Sequence, residues 1–223
     1  MNGIPQPTIQ RLFIYYRYLK KTLNNDGDDV ICSHKLGKEV GTTSAQVRKD
    51  LSYFGEFGRK GVGYDVKGLM KSLQKIIGLN YSWKAVLVGA GNLGRALVNY
   101  EGFSKLGLNI VEVFDCDLDK IGNKVNSKIV KSSNEMGEVI KDKKIKIGIL
   151  AIPEEDAQLT AEKMVEAGIK AIWCFSSGLL KLPDDIIIYY EDMASSVATL
   201  IYWLNQAPGP EHLNKVSLTK GRE

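Results

Sequence analysis

With 223 residues, the chain is long enough for two modest domains, and 44% hydrophobic against 25% charged residues is a globular balance. No apolar run approaches the 18 residues of a membrane span, and residues 1–7 lack the basic-then-apolar pattern of a signal peptide, so a cytoplasmic protein with no membrane partner is expected. The net charge of +4 divides into +6 over residues 1–81 and −2 over the remainder, which points the first third towards a polyanion; ordinary scatter of surface charge is the alternative.

Apolar spacing predicts a first helix over residues 8–23, with Ile9, Leu12, Phe13, Tyr16, Leu19 and Leu23 on its buried face. Residues 24–29 are a polar break. Ser33 is placed to cap a second helix through Val40, with Leu36 and Val40 inward. Gly41 makes the turn, and Thr43 with Gln46 forms a capping box for a third helix to about Phe54. Two short helices joined by a glycine turn, the second basic, are the layout of a helix-turn-helix. On the third helix Val47, Leu51 and Phe54 face the core. The opposite side carries Ala45, Lys49 and Ser52, flanked by Gln46, Arg48 and Tyr53, which suits reading base edges and phosphates in a major groove. Glycines 55, 58, 61 and 63 around Arg59-Lys60 predict a hairpin with a basic tip, matched to a narrow minor groove. Residues 69–77 form an amphipathic helix ended by Gly78, and residues 80–82 link two domains. A small helical domain with an incidental hairpin is the alternative, but charge, helix order and basic hairpin together favour DNA.

Residues 84–88 read as a buried strand and run straight into Gly89-Ala90-Gly91-Asn92-Leu93-Gly94, followed by a helical pattern. That context is the one the dinucleotide-binding fingerprint requires. Gly89 permits the tight turn, Gly91 lets the backbone approach a pyrophosphate, and Gly94 lets the helix pack on the strand. The helix N-terminus offers N–H groups and partial positive charge to phosphates. A second strand over residues 109–114 ends in Asp115, where the fingerprint puts an acid for the ribose hydroxyls; it would repel a 2′-phosphate, so NAD(H) is expected over NADP(H).

Helices are expected over residues 134–141 and 154–167, and strands over 145–151, 171–175 and 186–189, which together argue for an α/β, doubly wound parallel sheet. A last helix over 191–205 carries a wide apolar stripe of Met193, Val197, Leu200, Ile201 and Leu204. It packs either on its own sheet or on a second subunit. The polar tail, 207–223, reads as disordered. Cys32, Cys116 and Cys174 form no C-x-x-C pair and suggest neither disulfide nor metal.

A nicotinamide enzyme places a proton-transfer group beside its cofactor. Neither histidine, His34 or His212, lies in the nucleotide domain, and nothing pairs Tyr100, Lys105 or Asp192 as acid or base. The nucleotide therefore reads as a signal and the chain as no enzyme. The alternative is a small NAD-dependent oxidoreductase tethered to nucleic acid.

From Ile4 to Asn205 the chain resembles the redox-sensing transcriptional repressor Rex family, most specifically in Gln46-Val47-Arg48-Lys49-Asp50-Leu51-Ser52-Tyr53-Phe54-Gly55, Gly61-Val62-Gly63-Tyr64 and the glycine loop. The resemblance implies a homodimer with an N-terminal winged helix-turn-helix domain (1–81), a Rossmann domain (82–206) and C-terminal helices exchanged between subunits. It implies binding to palindromic operator DNA and release when NADH, rather than NAD+, is bound. Carried over by position, it puts Ser44, Gln46, Arg48, Lys49 and Ser52 with Arg59 and Lys60 on DNA. The glycine-loop residues Gly89 to Gly94, Asp115, Ala151, Ile152, Pro153, Phe175 and Tyr100 fall on the cofactor, and Arg17, Tyr100 and Asp192 on a domain-coupling linkage. Relatives often show Asn-Phe followed closely by Pro where this chain has Cys174-Phe175-Ser176-Ser177, and some have Phe at Met193. These departures fall on the walls that set the preference for NADH over NAD+.

Overall fold

The computed structural model describes residues 3–24, 29–59 and 61–206. The chain divides into two compact units, Met1–Ser82 with Gly102–Leu108, and Trp83–Glu101 with Asn109–Glu223.

The first unit contains α1 (Gln6–Asn24), β1 (Val30–Ile31), α2 (Ser33–Val40), α3 (Ser44–Ser52), β2 (Gly58–Arg59), β3 (Gly63–Asp65) and α4 (Val66–Ile77). The three short strands form an antiparallel sheet in the order β1-β3-β2. A helix-turn-helix followed by this hairpin is a winged helix. Leu12, Leu19, Leu36, Val47 and Leu73 are buried at its centre, each contributing about 1.5–3 kcal/mol by leaving water. The first helix is longer than its spacing predicts, and its buried face is rotated: Tyr15 is fully buried, whereas Ile9 is 39% exposed. Tyr15 is drawn inward because its hydroxyl finds a buried acceptor on α3. Cys32, not Ser33, caps α2, its Sγ accepting from the Lys35 N–H at 3.4 Å. The capping box on α3 is half formed: Thr43 accepts from the Gln46 N–H, but the Gln46 side chain turns to Asp50 instead of back to the cap. The helix ends at Ser52, and Phe54 packs against the core from beyond it. β1 carries no sequence signal of its own, since two residues are too few for an alternation.

The second stretch of chain supplies β4 (Trp83–Val88), α5 (Asn92–Asn99), a single turn α6 (Gly102–Lys105), β5 (Leu108–Asp115), β6 (Lys124–Val125), β7 (Lys128–Ser132), a 3-10 turn at Ser133–Glu135, α7 (Met136–Lys143), β8 (Ile147–Leu150), α8 (Glu154–Ala167), β9 (Ala171–Cys174), β10 (Ile187–Tyr190) and α9 (Met193–Gln206). The segment around α6 groups with the first unit. Gly107, at φ +82°, approaches Tyr81 so closely that a Cβ there would collide with the Tyr81 carbonyl.

The sheet order is β10-β9-β8-β4-β5-β7-β6. β8 pairs in parallel with β4 and β9, as do β9 with β10 and β5 with β7. Six of these strands have the 3-2-1-4-5-6 order of a Rossmann sheet. β6 joins β7 antiparallel at the edge, so the sheet is not wholly parallel. Neither β6 nor β7 is expected from the sequence, because Lys124, Lys128 and Lys131 interrupt the apolar run. Ala85 to Val88 are all buried, as a strand covered on both faces requires. Strand order reverses between β4 and β8, the topological switch point at whose carboxyl ends open α/β sheets bind ligands.

α9 does not pack on its own sheet. Every residue of the helix is exposed, with Leu200 at 68% and Trp203 at 66%. The tail 207–223, with His212, lies outside the described residues, as does Lys60.

Candidate functional site

Two sites are built, one in each unit. In the first, α3 turns Val47, Asp50 and Leu51 into the core, which leaves Ala45, Arg48, Lys49 and Ser52 exposed on the other side. Between this face and the wing lies an open cleft of about 700 Å³, lined by Arg48, Ser52, Arg59, Ser33 and Tyr64 among others. Arg48 donates to Ser33 Oγ at 3.1 Å, and Ser52 Oγ donates to the Lys49 carbonyl at 2.8 Å. Arg59 sits at the end of β2, on the wing. Gly63 allows the wing to close: its φ is +109°, and a Cβ would strike the Ile31 carbonyl. Ser44 is half-buried at the first position of α3.

Gln46 is placed differently from its outward-facing neighbours. Its Nε2 donates to Asp50 Oδ1 at 2.8 Å, so its amide points along the helix to a buried carboxylate. Asp50 also accepts from Thr8 Oγ1, from Arg11 through two nitrogens, and from the Tyr15 hydroxyl. Burial alone raises the Asp50 pKa, but the hydrogen bonds from Arg11, Tyr15, Gln46 and Thr8 outweigh it and hold the group at about 2. Burial pushes the Tyr15 hydroxyl up, and the bond to Asp50 adds to it. The hydrogen bond to Asp50 likewise raises Arg11. Asp50 lies inside the most specific sequence motif, yet a charged residue between Lys49 and Leu51 gives no sign of being buried.

In the second unit, β4 ends in Gly89, at φ +103°. Its N–H donates to the Phe114 carbonyl at 2.8 Å, and the next N–H, of Ala90, donates to Asp115 Oδ2 at 2.7 Å. A Cβ at Gly94 would run into the Gly89 carbonyl oxygen, so α5 starts close against the loop only because Gly94 has none. Gly91 differs: a Cβ there would meet nothing within 4 Å, so its open side is free for a ligand. Gly91 is the N-cap of α5 and makes no side-chain capping bond, so the N–H groups of Asn92, Leu93 and Gly94 remain for an anion. These residues fit a dinucleotide pyrophosphate.

Asp115 is 5% exposed and has a structural task as well as its expected place at a ribose. Besides Ala90, it accepts from the Asp117 N–H at 2.9 Å and pairs with Lys120 Nζ at 3.4 Å. Lys120 also pairs with Asp117 at 3.1 Å, and chiefly this bond raises its pKa. Arg95, Lys120, Lys124 and Asn123 surround a small cavity of about 80 Å³ beside Ala90. These cations are not evident from the sequence, because β6 is needed to bring Lys124 alongside α5.

Across the switch point, the Ala151 N–H donates to the Val88 carbonyl and the Phe175 N–H to Leu150, each at 2.9 Å. Ser176 Oγ donates to the Ile152 carbonyl at 2.7 Å, joining the loops after β8 and β9. Ala151 lies so close to Gly89 that a Cβ on the glycine would hit the Ala151 carbonyl. The glycine loop, Ala151, Ile152 and Phe175 therefore share one edge of the sheet, with exposed Pro153 opening towards α8. The residues of the coupling expectation lie in different units. Arg17 is exposed on α1, 6.0 Å from the Phe13 ring centroid. Tyr100, exposed, ends α5, and Asp192 caps α9 by accepting from the Ala194 and Ser195 N–H groups at 3.0 and 3.1 Å.

Among the described residues, no group of three or more His, Cys, Asp and Glu could hold a metal, and no helix is long and apolar enough to cross a membrane. The cysteines are free, with Cys32 and Cys116 exposed and Cys174 buried.

Comparisons with known proteins match both halves of the chain. Residues 3–52 match the family described as "Putative DNA-binding protein N-terminus", and residues 80–178 match the CoA binding domain family. The chain is 46% identical to the redox-sensing transcriptional repressor Rex of Carboxydothermus hydrogenoformans, over 89% of this chain and 95% of that protein. It is also 46% identical to the Rex of Pelotomaculum thermopropionicum, over 91% and 95%. The solved structure of RSP with β-NAD+ and operator DNA is similar at a TM-score of 0.87 and 41% identity, covering 92% of this chain and 94% of that one. RSP with β-NADH is similar at 0.83 and 39%, covering 92% and 96%. By its sequence, over nearly its full length, and by the winged helix and Rossmann sheet it shares with a Rex-family repressor, this chain belongs to the Rex family of redox-sensing transcriptional repressors, which are regulators and not enzymes.

Proposed function

We propose that this protein is a transcriptional repressor that binds palindromic operator DNA as a homodimer in the cytoplasm and leaves it when NADH is bound. One observation carries the reading: a basic cleft between α3 and a wing stands in the same chain as a glycine loop and uncapped helix fitted to a dinucleotide. Arg48, Lys49 and Ser52 on α3, with Ser44 beside them, meet bases and phosphates in the major groove, and Arg59 with Lys60 meets the adjacent backbone. Gly89 to Gly94 hold the pyrophosphate, Asp115 the adenosine side, and Ala151, Ile152, Pro153 and Phe175, with Tyr100, the nicotinamide side.

NADH supplies a neutral reduced nicotinamide ring, whereas NAD+ brings a positive one. The walls at Ile152 and Phe175 are apolar and therefore favour the neutral ring, because a charged ring is costly to desolvate. The two copies join through the apolar face of α9, exchanged between subunits, and Arg17, Tyr100 and Asp192 link the Rossmann units to the DNA-binding units. With NADH the dimer takes a closed form in which the two α3 helices no longer match successive major grooves. A nearly complete switch requires on the order of 5.5 kcal/mol of differential affinity between the two forms.

Titration of an operator-bound dimer, with competitor DNA present, tests this directly. NADH should displace the protein at concentrations where NAD+ does not. Specific binding that ignores both nucleotides, or turnover of NADH with an acceptor, overturns it.

A further inference from the structure

We propose that Asp50 is the positioning residue of the recognition helix: its buried carboxylate locks α3 onto α1 in one register and withdraws Gln46 from base reading. The proposal rests on the DNA-binding role of α3 argued above.

The geometry is specific. Asp50 is wholly buried on the inner face of α3, where an apolar residue would be enough for packing. A carboxylate there is costly unless its oxygens are satisfied. They are saturated. Oδ2 accepts from Arg11 Nε at 2.6 Å and from the Tyr15 hydroxyl at 2.7 Å. Oδ1 accepts from Arg11 at 2.7 Å, Gln46 at 2.8 Å and Thr8 at 3.0 Å. Thr8, Arg11 and Tyr15 are spaced three and four apart, so all three leave α1 on one face. Arg11 binds in the two-pronged manner that fixes direction as well as distance.

Four hydrogen bonds from α1, with a fifth from Gln46 of α3 itself, converge on the two oxygens and hold the α1–α3 contact in one position. An apolar contact tolerates a slide or roll of about an ångström, because its energy has no direction. Here the same movement breaks most of the five bonds at once and leaves a buried charge. α1 and α3 therefore move as one body, and the outward residues Arg48, Lys49 and Ser52 keep a fixed presentation. Gln46 is tied to Asp50 through one Nε2–H, which leaves it only Oε1 and the second Nε2–H for other partners, so sequence reading falls chiefly to its neighbours.

The test uses the full-length protein and two mild variants, Tyr15→Phe and Gln46→Ala, beside Asp50→Asn. Each is measured for affinity to an operator duplex and to a scrambled duplex, for NADH affinity, and for amide hydrogen exchange across α3 and α4. Tyr15→Phe keeps the ring in the core and removes only the donor. Expected are roughly a tenfold loss for operator, less than twofold for scrambled DNA, unchanged NADH affinity, and faster exchange confined to α3. Gln46→Ala should show the same pattern, with base preference at each operator position retained. Equal losses on both duplexes, or exchange that rises equally in α4, would mean that Asp50 merely stabilises the fold. Loss of preference at one base pair in Gln46→Ala would make Gln46 a reader and overturn the withdrawal. If the unmutated protein does not distinguish operator from scrambled DNA, the repressor reading itself fails, and the α3 exchange decides the lock alone.

Discussion

Asp115 Oδ2 accepts the Ala90 N–H at 2.7 Å, so the end of β5 holds the glycine loop that follows β4. The acid expected at a ribose is thus also the clamp of the phosphate loop. Because one carboxylate shapes two parts of the site, its removal should cost more than a single ligand contact.

Asp115→Ala should accordingly weaken NADH binding at least tenfold, with operator affinity unchanged and its sensitivity to NADH reduced. Calorimetric titration of the variant checks this, and an affinity within twofold of the original would remove Asp115 from the site.

Lys49→Ala acts in the other unit. It should lower operator affinity ten- to a hundredfold, on the order of 1–3 kcal/mol, and leave NADH affinity as it was. Fluorescence anisotropy at several salt concentrations separates its roles. A flatter salt dependence marks a phosphate contact, and altered base preference marks a base contact.

Gly94→Ala places a methyl group against the Gly89 carbonyl. Overpacking of this kind costs about 1–3 kcal/mol, and the loop must shift to relieve it. A lower melting temperature together with lost nucleotide binding is expected. An unaltered melting curve with full NADH affinity would contradict the close approach.

Asp50 makes stability depend on acid. Its folded pKa of about 2 lies below the 3.8 of an unperturbed aspartate, so the unfolded chain takes up the proton first as pH falls. The stabilisation, on the order of 2 kcal/mol, is complete above pH ~4 and disappears as pH drops through about 2. Urea unfolding of the wild type and Asp50→Asn between pH 5 and pH 2 should show a gap that closes on acidification. A constant gap would mean that the carboxylate's ionisation does not matter.

The exposed face of α9 predicts its own experiment. Ile201→Asp in that face should convert a dimer into a species of 24.7 kDa by sedimentation equilibrium, with the fold intact by circular dichroism. A dimer that survives the substitution places the interface elsewhere.

Much of this architecture is legible along the chain, and the reasons are local. Gly89, Gly91 and Gly94 announce their loop because only glycine meets its turn and its close approaches. The 154–167 helix is read to the residue because apolar spacing and Gly168, with φ +112°, bound it. α3 is legible from Thr43 and from the alternation of Val47 and Leu51 with Arg48, Lys49 and Ser52. The third dimension decided what local pattern cannot. β7 enters the sheet beside β5 despite its lysines, since strand pairing supplies what its composition lacks. Asp50 is buried because Thr8, Arg11 and Tyr15, about forty residues away in sequence, arrive on one face of α1 to satisfy it. Gln46 faces inward for the same reason. Sequence alone determined the long helices, the apolar strands of the parallel sheet and the glycine loop, because those follow from backbone sterics and periodicity. Which polar side chains of α3 stay exposed and which are buried against α1 was decided only by tertiary structure, because a buried charge depends on partners that the fold alone brings together.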